Sequence, residues 1–298
     1  MIKTIKDYKI EEVLSLWNTA LPDHKLDKRL FVKNILLDVN YDPNGFFIAE
    51  TDGHASALTY ALIRRHPIDV GAPSTESRGY INAIGFKDNN IITTVGKELL
   101  SHAESYLRSQ GVAEISVGKY SPNYFSPGIN NNHFETVKLF SKMGYEEDGA
   151  HRSIRIDLTD FEANDDYIAT KTLAEGAGFE FTALKDEYIS DLLKYAPPGW
   201  VHRYRRLLSE TMDYEKVRIV LKDDRIVGCA VFGDPYSAEE RFGPFMVSEG
   251  YRGMGIGRIL LTDTLLCMKS RGLTYAWAQS TPIQGAAAHL YEKVGFIL

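Results

Sequence analysis

A glycine-rich turn between an apolar strand and an amphipathic helix constrains this chain more than any other feature. The turn reads Arg-Gly-Met-Gly-Ile-Gly from Arg252 to Gly257, and it lies between an apolar run at 245–247 and Ile259–Leu261. Glycine allows successive backbone N–H groups to point at a phosphate without hindrance from a Cβ atom. The helix that follows adds the partial positive charge of its N-terminus. The sequence therefore predicts an anion-binding turn.

Two common phosphate-binding folds do not fit this turn. A dinucleotide-binding fold needs the spacing Gly-x-Gly-x-x-Gly, but Arg258 or Leu260 stands at the third place, depending on which glycine begins the count. The nucleotide P-loop needs Gly-Lys-Ser or Gly-Lys-Thr, and neither follows the turn. Both folds are therefore excluded for this segment.

A second motif lies near the C-terminal end, where 287–296 reads Ala-Ala-His-Leu-Tyr-Glu-Lys-Val-Gly-Phe. With Tyr291 lying 34 residues after Gly257 (291 − 257), the two motifs together resemble the GNAT superfamily of acetyl-CoA-dependent N-acyltransferases. The pyrophosphate loop of that family reads Arg/Gln-x-x-Gly-x-Gly/Ala, and its late helix commonly opens on Asn, where this chain has Gln284. The resemblance implies that acetyl-CoA, as co-substrate, is bound by Phe245, Met246, Val247, Arg252, Gly253, Met254, Gly255, Ile256, Gly257, Arg258 and Gln284.

The resemblance also implies a mechanism, in which an amine attacks the thioester directly in a ternary complex. The strand before the turn would separate from its neighbour to bind the pantetheine arm, and a backbone N–H near Met246 or Val247 would polarise the thioester carbonyl. Tyr291 would protonate the departing thiolate. An alkylamine, whose pKa is about 10.4, must first lose a proton, and Glu240 is the preferred base because it lies just ahead of that strand. The alternative bases are Glu239, His202 and His289.

An internal repeat divides the chain into two similar halves. Aligning Gly96 with Gly257, an offset of 161 residues (257 − 96), places 80–86 on the strand before the turn without a gap. The resemblance then implies two tandem GNAT domains of α/β class, each a mixed, mostly antiparallel twisted sheet flanked by helices. In the first half, however, 91–96 reads Ile-Ile-Thr-Thr-Val-Gly, whose β-branched residues disfavour an open turn, and Phe140 replaces Tyr291. We expect this first domain to be degenerate, with a structural or substrate-shaping role.

We place the degenerate domain at 1–160, a linker at 161–176 and the catalytic domain at 177–298. The first half continues into a β-rich run from His151 to Leu158, which is assigned as its final strand. The second half stops at Leu298, two residues after Phe296. The catalytic domain is therefore expected to lack its last strand, and the first domain or a partner subunit is expected to cover the exposed sheet edge.

Composition narrows the class of protein but not its substrate. A net charge of −6 and a pI near 5.8 argue against nucleic acid or an anionic membrane as the main partner. Cys229 and Cys267 form no Cys-x-x-Cys pair, so neither a disulfide framework nor a metal site is expected. The charged N-terminus does not read as a signal peptide. We expect a cytoplasmic monomer or homodimer.

The leading prediction is an N-acetyltransferase whose partners are acetyl-CoA and a primary amine of a small molecule. A peptide or protein amine is a variant within the same class. Two alternatives remain: a non-catalytic acyl-CoA-binding or regulatory module, and a scaffold protein in which the glycine-rich turn has no ligand. Cofactor binding and thiol release with an amine distinguish the three classes.

Overall fold

The structure is a computed structural model that describes residues 1–66, 78–121, 123, 125–281 and 283–297. It divides into two compact units, Met1–Gly149 and Ala150–Leu298. The division therefore falls after Gly149, ahead of the boundary that the sequence analysis places at residue 160. The physical reason for the difference is the pairing of one strand, described below.

One sheet with helices on both faces organises the first unit. Its strands form a single five-stranded sheet in chain order, antiparallel except for the last pair, which is parallel. The strands are β1 (Ile2–Thr4), β2 (Phe46–Thr51), β3 (His54–Ile63), β4 (Arg78–Phe86) and β5 (Glu114–Val117). The α-helices are α1 (Ile10–Ala20), α2 (Lys28–Phe31), α3 (Lys97–Ser109) and α4 (Phe134–Lys142).

The two faces of this sheet carry separate hydrophobic cores because successive side chains of a strand point to opposite faces. On β2, Ile48 packs into one core with Leu16 and Trp17 of α1. The preceding residue, Phe47, packs into the other core with Leu100 of α3. The helices therefore shield both faces of the sheet from water.

The second unit contains two groups of paired strands. The strands are β6 (Arg152–Asp157), β7 (Phe179–Ala183), β8 (Val217–Lys222), β9 (Arg225–Phe232), β10 (Phe242–Val247) and β11 (Tyr275–Thr281). The α-helices are α5 (Asp165–Gly176), α6 (Ile189–Tyr195), α7 (Pro198–Thr211), α8 (Ile256–Ser270) and α9 (Ala286–Val294). An antiparallel four-stranded sheet has the order β10-β9-β8-β7, and β11 pairs with β6. Within the described parts of the chain, every helix is too short or too polar to traverse a lipid bilayer.

Helices again cover both faces of the four-stranded sheet. On β8, Ile219 packs with Leu192 of α6 and Tyr204 of α7, whereas the next residue, Val220, packs with Leu260 of α8. The sequence predicts a helical stretch from Asp186 to about Met212 that is interrupted at 197–199, because proline cannot continue a helix without losing a backbone hydrogen bond. In the structure, Pro197 stands between α6 and α7. The sequence prediction of helix, break and helix here is confirmed.

The strand assigned from sequence to the end of the first half belongs instead to the second unit. β6 pairs antiparallel with β11, with Asp157 opposite Tyr275 and Ile154 opposite Ala278. Ile154 and Ile156 are buried in the hydrophobic core of the second unit, and this burial fixes which face of β6 points inward. On its other side, Arg155 exchanges two hydrogen bonds of 2.8 Å with Ile297.

The edge that the first domain or a partner subunit was expected to cover is covered by a strand from within 1–160, but this strand belongs to the second unit, so the expectation that the second unit lacks its last strand is wrong. The covering strand is β6, supplied by the chain itself just ahead of α5. The interval 161–176, assigned as a linker, also belongs to the folded unit. It contains α5, whose Tyr167 and Ala174 are buried in the same hydrophobic core as Ile156.

Candidate functional site

Two parallel strands of the second unit meet at one point and then separate. An isolated bridge joins Arg241, just before β10, to Trp277 of β11, and the Trp277 N–H donates to the Glu240 carbonyl at 3.0 Å. Beyond the bridge, β10 pairs with β9 and β11 pairs with β6, and no further pairing joins β10 to β11 among the described residues. A cleft therefore opens between the two strands toward the glycine-rich turn.

The strand on one side of this cleft carries a β-bulge. Phe242 lies opposite Phe232 and Phe245 opposite Ala230, so β10 contains one residue more than β9 over this interval. A bulge of this kind leaves one residue unpaired and locally re-aims the strand. Pro244 lies inside the bulge, which is where a strand tolerates proline.

Past the bulge, alternate backbone groups of β10 face the cleft. Ser248 donates its N–H to the Val227 carbonyl at 2.9 Å, so that pair is hydrogen-bonded. Because hydrogen-bonded and non-hydrogen-bonded pairs alternate in an antiparallel ladder, the N–H and C=O groups of Val247 and Phe245 point away from β9. Met246 points its own groups toward β9. Of the two residues predicted to supply the polarising N–H, Val247 has the suitable orientation.

The turn after β10 adopts the conformation that its glycines predict. Gly253 and Gly255 have φ values of +78° and +81°, a region that residues with a Cβ atom rarely enter. A Cβ atom on Gly255 would also lie 2.7 Å from Cγ2 of Thr170 on α5. The turn is therefore shaped by backbone that only glycine accommodates, and α5 closes its outer side.

The N-terminus of α8 presents backbone N–H groups that have no hydrogen-bond acceptor among the described residues. Gly255 occupies the position before the helix, no side chain caps it, and no acidic residue lies in the first turn. The first helical hydrogen bond within the described residues is donated by Ile259 to the Gly255 carbonyl at 3.1 Å. The N–H groups of residues 256–258 thus remain available, and the helix dipole adds positive potential at the same place. This is a site suited to a phosphate group.

Two arginines flank these N–H groups. Arg252 is 62% exposed, donates its Nε–H to the Val247 carbonyl at 3.3 Å and pairs with Glu249 at 3.2 Å. Arg258, at the start of α8, pairs with Asp166 at the start of α5. Both arginines are tethered by one acidic residue each while they remain accessible to a ligand. The exposed pair Met254 and Gln284 lies at the turn and in the loop before α9, respectively.

Tyr291 lies on α9 in an aromatic cluster at the bulge. Its ring centroid is 6.2 Å from that of Phe245, 6.3 Å from that of Phe242 and 5.4 Å from that of Phe296. The side chain is 7% exposed, and burial raises the pKa of Tyr291 to about 12. Its hydroxyl makes no hydrogen bond to any described residue. The phenol therefore keeps its proton at neutral pH and can donate a hydrogen bond to a ligand.

The candidate bases differ in their positions and in whether other residues form ion pairs with them. Glu239 forms an ion pair with Lys216 at 2.6 Å, which holds its carboxylate on that ammonium group. Glu240 is half-buried at the point where β10 and β11 meet, and its carboxylate has no ion pair among the described residues. His289 lies exposed on α9, and His202 lies on α7. Of the two glutamates, Glu240 is thus the one whose carboxylate is not held by an ion pair with another described residue.

Sequence reasoning missed a buried ionic cluster beside the cleft. Asp234, with 1% of its side chain exposed, accepts from Arg203 at 2.9 Å, Arg206 at 3.1 Å and Arg241 at 3.1 Å. Burial raises the pKa of Asp234, but the three guanidinium groups outweigh burial and lower it to about 2. Arg241 carries the bridge to Trp277, so the cluster braces the strand junction. No local motif signals these residues, which come from α7 and from the loop between β9 and β10. The bulge in β10, by contrast, can be predicted from Pro244, because proline inside a strand pattern indicates an edge strand or a bulge.

Comparison with known proteins agrees with this geometry. The family model described as an acetyltransferase (GNAT) domain matches residues 213–298. Streptothricin acetyltransferase of Streptomyces lavendulae is 36% identical over 50 residues, which is 17% of this chain and 26% of that enzyme. The chain therefore spans about a quarter of that relative.

Two solved structures are similar over the whole chain. One contains a GCN5-related glucosamine N-acetyltransferase region of a fungal multi-domain β-N-acetylglucosaminidase, with a TM-score of 0.79, 19% identity, and coverage of 100% of this chain and 37% of that one. The other is a tandem GNAT protein from the clavulanic acid biosynthesis pathway, with a TM-score of 0.63, 14% identity, and coverage of 99% and 95%. At these identities the two likenesses establish the fold, a pair of domains in tandem.

Proposed function

We propose that this chain, whose residues 213–298 match the GNAT acetyltransferase domain and whose fold is that of a tandem GNAT protein, uses its second unit to transfer the acetyl group of acetyl-CoA to a primary amine of a small molecule. One observation carries the proposal: the uncapped N-terminus of α8 lies at the open end of the cleft between β10 and β11. Diphosphate and thioester sites thus lie along one continuous path. Neither a dinucleotide fold nor a P-loop offers this combination.

The residues present suit both the diphosphate and the pantetheine arm of acetyl-CoA. The N–H groups at the start of α8, with Arg252 and Arg258 beside them, suit a diphosphate because they combine free donors with positive charge. The N–H and C=O groups of Phe245 and the N–H group of Val247, which point away from β9, suit the amide groups of a pantetheine arm, which would extend β10 as an added strand. Gly255 keeps the turn open where a side chain would meet α5.

In the proposed reaction, Glu240 removes a proton from the bound alkylammonium group, directly or through a water molecule. The amine nitrogen then attacks the thioester carbon, and the Val247 N–H stabilises the negative charge that grows on the carbonyl oxygen. As the C–N bond forms and the C–S bond breaks, Tyr291 donates a hydrogen bond to the departing sulfur. The nitrogen releases its remaining extra proton to solvent, and the thiolate takes up a proton from solvent relayed by the Tyr291 hydroxyl, which leaves N-acetylamine and CoA.

The high pKa of Tyr291 defines its role more closely. With a pKa of about 12, Tyr291 is a weaker acid than a free thiol, whose pKa is about 8.5. Complete proton transfer from the phenol to a free thiolate is therefore unfavourable, and a hydrogen bond to sulfur is the larger part of its effect. The protonated phenol persists over the whole neutral range, so Tyr291 imposes no titration on the rate there.

A small-molecule acceptor is supported by the named relatives. One is called a streptothricin acetyltransferase and another a glucosamine N-acetyltransferase region, and both names specify amines of low molecular weight. The acidic balance of the chain, with a net charge of −6, also suits a cationic amine. We propose streptothricin-like and amino-sugar amines as the first acceptors to examine.

The test measures thiol release from acetyl-CoA in the presence of an amine panel, together with calorimetric binding of acetyl-CoA. We expect release with at least one small amine, and loss of both release and binding in the Arg252→Ala, Gly255→Asp double variant. Binding without release from any amine would instead identify a non-catalytic acyl-CoA-binding module. Release with peptide amines alone would move the acceptor to a protein substrate, and absence of binding would refute the proposal.

A further inference from the structure

The first unit has a cleft of its own between separating strands. β4 and β5 pair in parallel from Arg78 to Ile81, and the last bond of this junction runs from the Gly118 N–H to the Ile81 carbonyl at 2.8 Å. Beyond Ile81 the two strands separate around a cavity of about 780 Å³. This volume lies within the range of pockets that bind drug-sized molecules, roughly 300–1,000 Å³.

One wall of this cavity offers backbone groups that have no partner among the described residues. Lys87 donates its N–H to the Ser56 carbonyl at 2.9 Å, which makes that pair hydrogen-bonded. By the alternation of an antiparallel ladder, the N–H and C=O groups of Phe86 and Ile84 point away from β3 and toward the cavity. A ligand with alternating donors and acceptors can therefore bind along β4.

A buried acceptor without a partner lies deeper in the same wall. Asn82 is the extra residue of a β-bulge in β4, since Tyr60 pairs with Ala83 and Ala61 with Ile81. Its side chain lines the cavity, is 3% exposed, and donates from Nδ2 to the Asn123 carbonyl at 2.9 Å. Its Oδ1 atom has no hydrogen-bond partner among the described residues. A buried polar atom without a partner is costly, so a ligand that supplies an N–H or O–H donor here would bind favourably.

The same cavity is unsuited to a diphosphate. The backbone is helical without a break from Asn89 to the end of α3, first as a 3-10 turn, then as a π turn and then as α-helix. Residues 91–96 therefore form no open turn. The Asp88 carboxylate lines the cavity and accepts the Asn90 N–H at 2.8 Å. The Asp88 carboxylate thus accepts one of the N–H groups at the start of this helical segment, and its negative charge repels phosphate. The ligand of this cavity is therefore a molecule without a diphosphate.

A second carboxylate supplies a site for a positive charge. Asp23 lines the cavity and accepts from His133 at 2.7 Å and from Asn130 at 3.1 Å. The hydrogen bond from His133 is the main cause that lowers the pKa of the Asp23 carboxyl, so the group is ionised at neutral pH. The carboxylate side chain remains 45% exposed, which leaves room for a ligand ammonium group. His24 faces the same space, and burial lowers the pKa of its imidazole, which favours the neutral ring.

We propose that the cavity of the first unit binds a phosphate-free small molecule that carries an amine and several hydroxyl or amide groups, of the size of a two-ring or three-ring amino sugar. The amine pairs with Asp23, a donor of the ligand satisfies Asn82, and the remaining polar groups pair with the edge of β4. This site is distinct from the acetyl-transfer site proposed in the second unit, and its occupancy requires no acetyl-CoA.

The test is a calorimetric titration of the full chain with the two-ring diamine glucosaminyl-glucosamine, beside the amine-free disaccharide cellobiose. We expect the diamine to bind without acetyl-CoA and the amine-free disaccharide to bind about tenfold or more weakly, because Asp23 then lacks its partner. Asn82→Leu and Asp23→Asn should each weaken diamine binding about tenfold. The exposed Asp52→Asn change in the turn between β2 and β3 is the matched control and should have no effect.

Asp23→Asn keeps the test decisive if Asn82→Leu impairs folding, since Asp23 is partly exposed. Absence of diamine binding, equal binding of the two disaccharides, or diamine binding unchanged by Asp23→Asn would each overturn the proposal. A second equivalent of acetyl-CoA that survives Arg252→Ala, Gly255→Asp would overturn the exclusion of diphosphate. None of these readouts depends on acetyl transfer, so the proposal stands or falls separately from the proposed function.

Discussion

The two units keep the same strand framework and differ at the turn that follows the bulged strand. Tyr80 pairs in parallel with Ser116 in the first unit, and Arg241 with Trp277 in the second, each pair related by an offset of 161 residues (241 − 80 and 277 − 116). Each bulge lies just beyond that pair. The next turn is an uncapped helix start in the second unit, whereas Asp88 caps the corresponding winding in the first. The cleft and the anion-binding turn are thus separable features of this fold.

The cleft and the turn differ physically in how many residues each of them depends on. A cleft between strands depends on backbone register and on apolar packing over many residues, so it survives extensive substitution. An anion-binding turn depends on two glycines with positive φ and on the absence of a carboxylate nearby. A few side-chain changes therefore abolish phosphate binding and leave the cleft intact.

The largest effect should come from a carboxylate placed in the turn of the second unit. Gly255→Asp would add a negative charge and a Cβ atom that lies 2.7 Å from Thr170 Cγ2. We expect the Kd for acetyl-CoA to rise about 100-fold or more, measured by calorimetry. The matched change at the repeat-equivalent position of the first unit, Thr94→Asp, should leave the Kd unchanged. Equal losses in both variants would contradict the assignment of one diphosphate site.

The second effect concerns the hydroxyl that the first unit lacks, since Phe140 stands at the position of Tyr291. Tyr291→Phe should lower kcat about 100-fold through loss of the hydrogen bond to sulfur, with little change in the Kd for acetyl-CoA. Steady-state kinetics with calorimetry separates the two quantities. The control is Tyr275→Phe, which also removes a tyrosine hydroxyl but lies on β11 ahead of the point where β10 and β11 separate. A loss confined to binding would assign Tyr291 a packing role instead.

A third test compares how the two bulges are braced. The second unit uses the ionic cluster of Asp234, whereas the first uses a network that includes hydrogen bonds from Asn82 to Asn123 and from Asn123 to Asp38. Asp234→Asn should lower the free energy of unfolding by about 3 kcal/mol, because it removes the buried negative charge to which three guanidinium groups are paired. Urea denaturation at pH 7 measures the loss, and Asp223→Asn on an exposed turn is the control.

The same cluster predicts a pH dependence with a definite sign. The pKa of Asp234 is lowered to about 2 in the folded state, against about 3.9 in the unfolded chain. Its stabilisation is therefore complete above about pH 4 and is lost as the pH falls toward 2. The wild-type protein should lose this increment between those values in acid-titrated urea melts, and Asp234→Asn should not. Parallel acid profiles of the two proteins would contradict the assignment.

The smallest effect concerns the cap in the first unit. Asp88→Ala removes the acceptor of the Asn90 N–H and should lower the free energy of unfolding by about 1 kcal/mol. We expect the stoichiometry of acetyl-CoA to remain one, because helical 91–96 still provide no open turn. Asp88→Asn retains an acceptor and should restore most of the stability. A second equivalent of acetyl-CoA in Asp88→Ala would show that the cap alone blocks the site.

Much of the candidate site could be predicted from sequence because its chemistry is local. Glycines with positive φ, the start of α8 and the placement of Tyr291 on α9 all follow from a few adjacent residues. The brace at Asp234 could not be predicted, since its three arginine partners lie 31, 28 and 7 residues away. Ion pairs between distant segments leave no periodic signal in a sequence.

The sequence by itself determined the tandem repeat, the glycine turn before α8 and the break between α6 and α7, because each depends on the conformational limits of glycine and proline or on local periodicity. Only the tertiary structure decided which unit receives β6. The alternation that buries Ile154 and Ile156 suits any apolar sheet face, so the pattern predicts a strand but not its partner. Pairing with β11 was settled by the core of the second unit, which offers both an open edge and space for those two side chains.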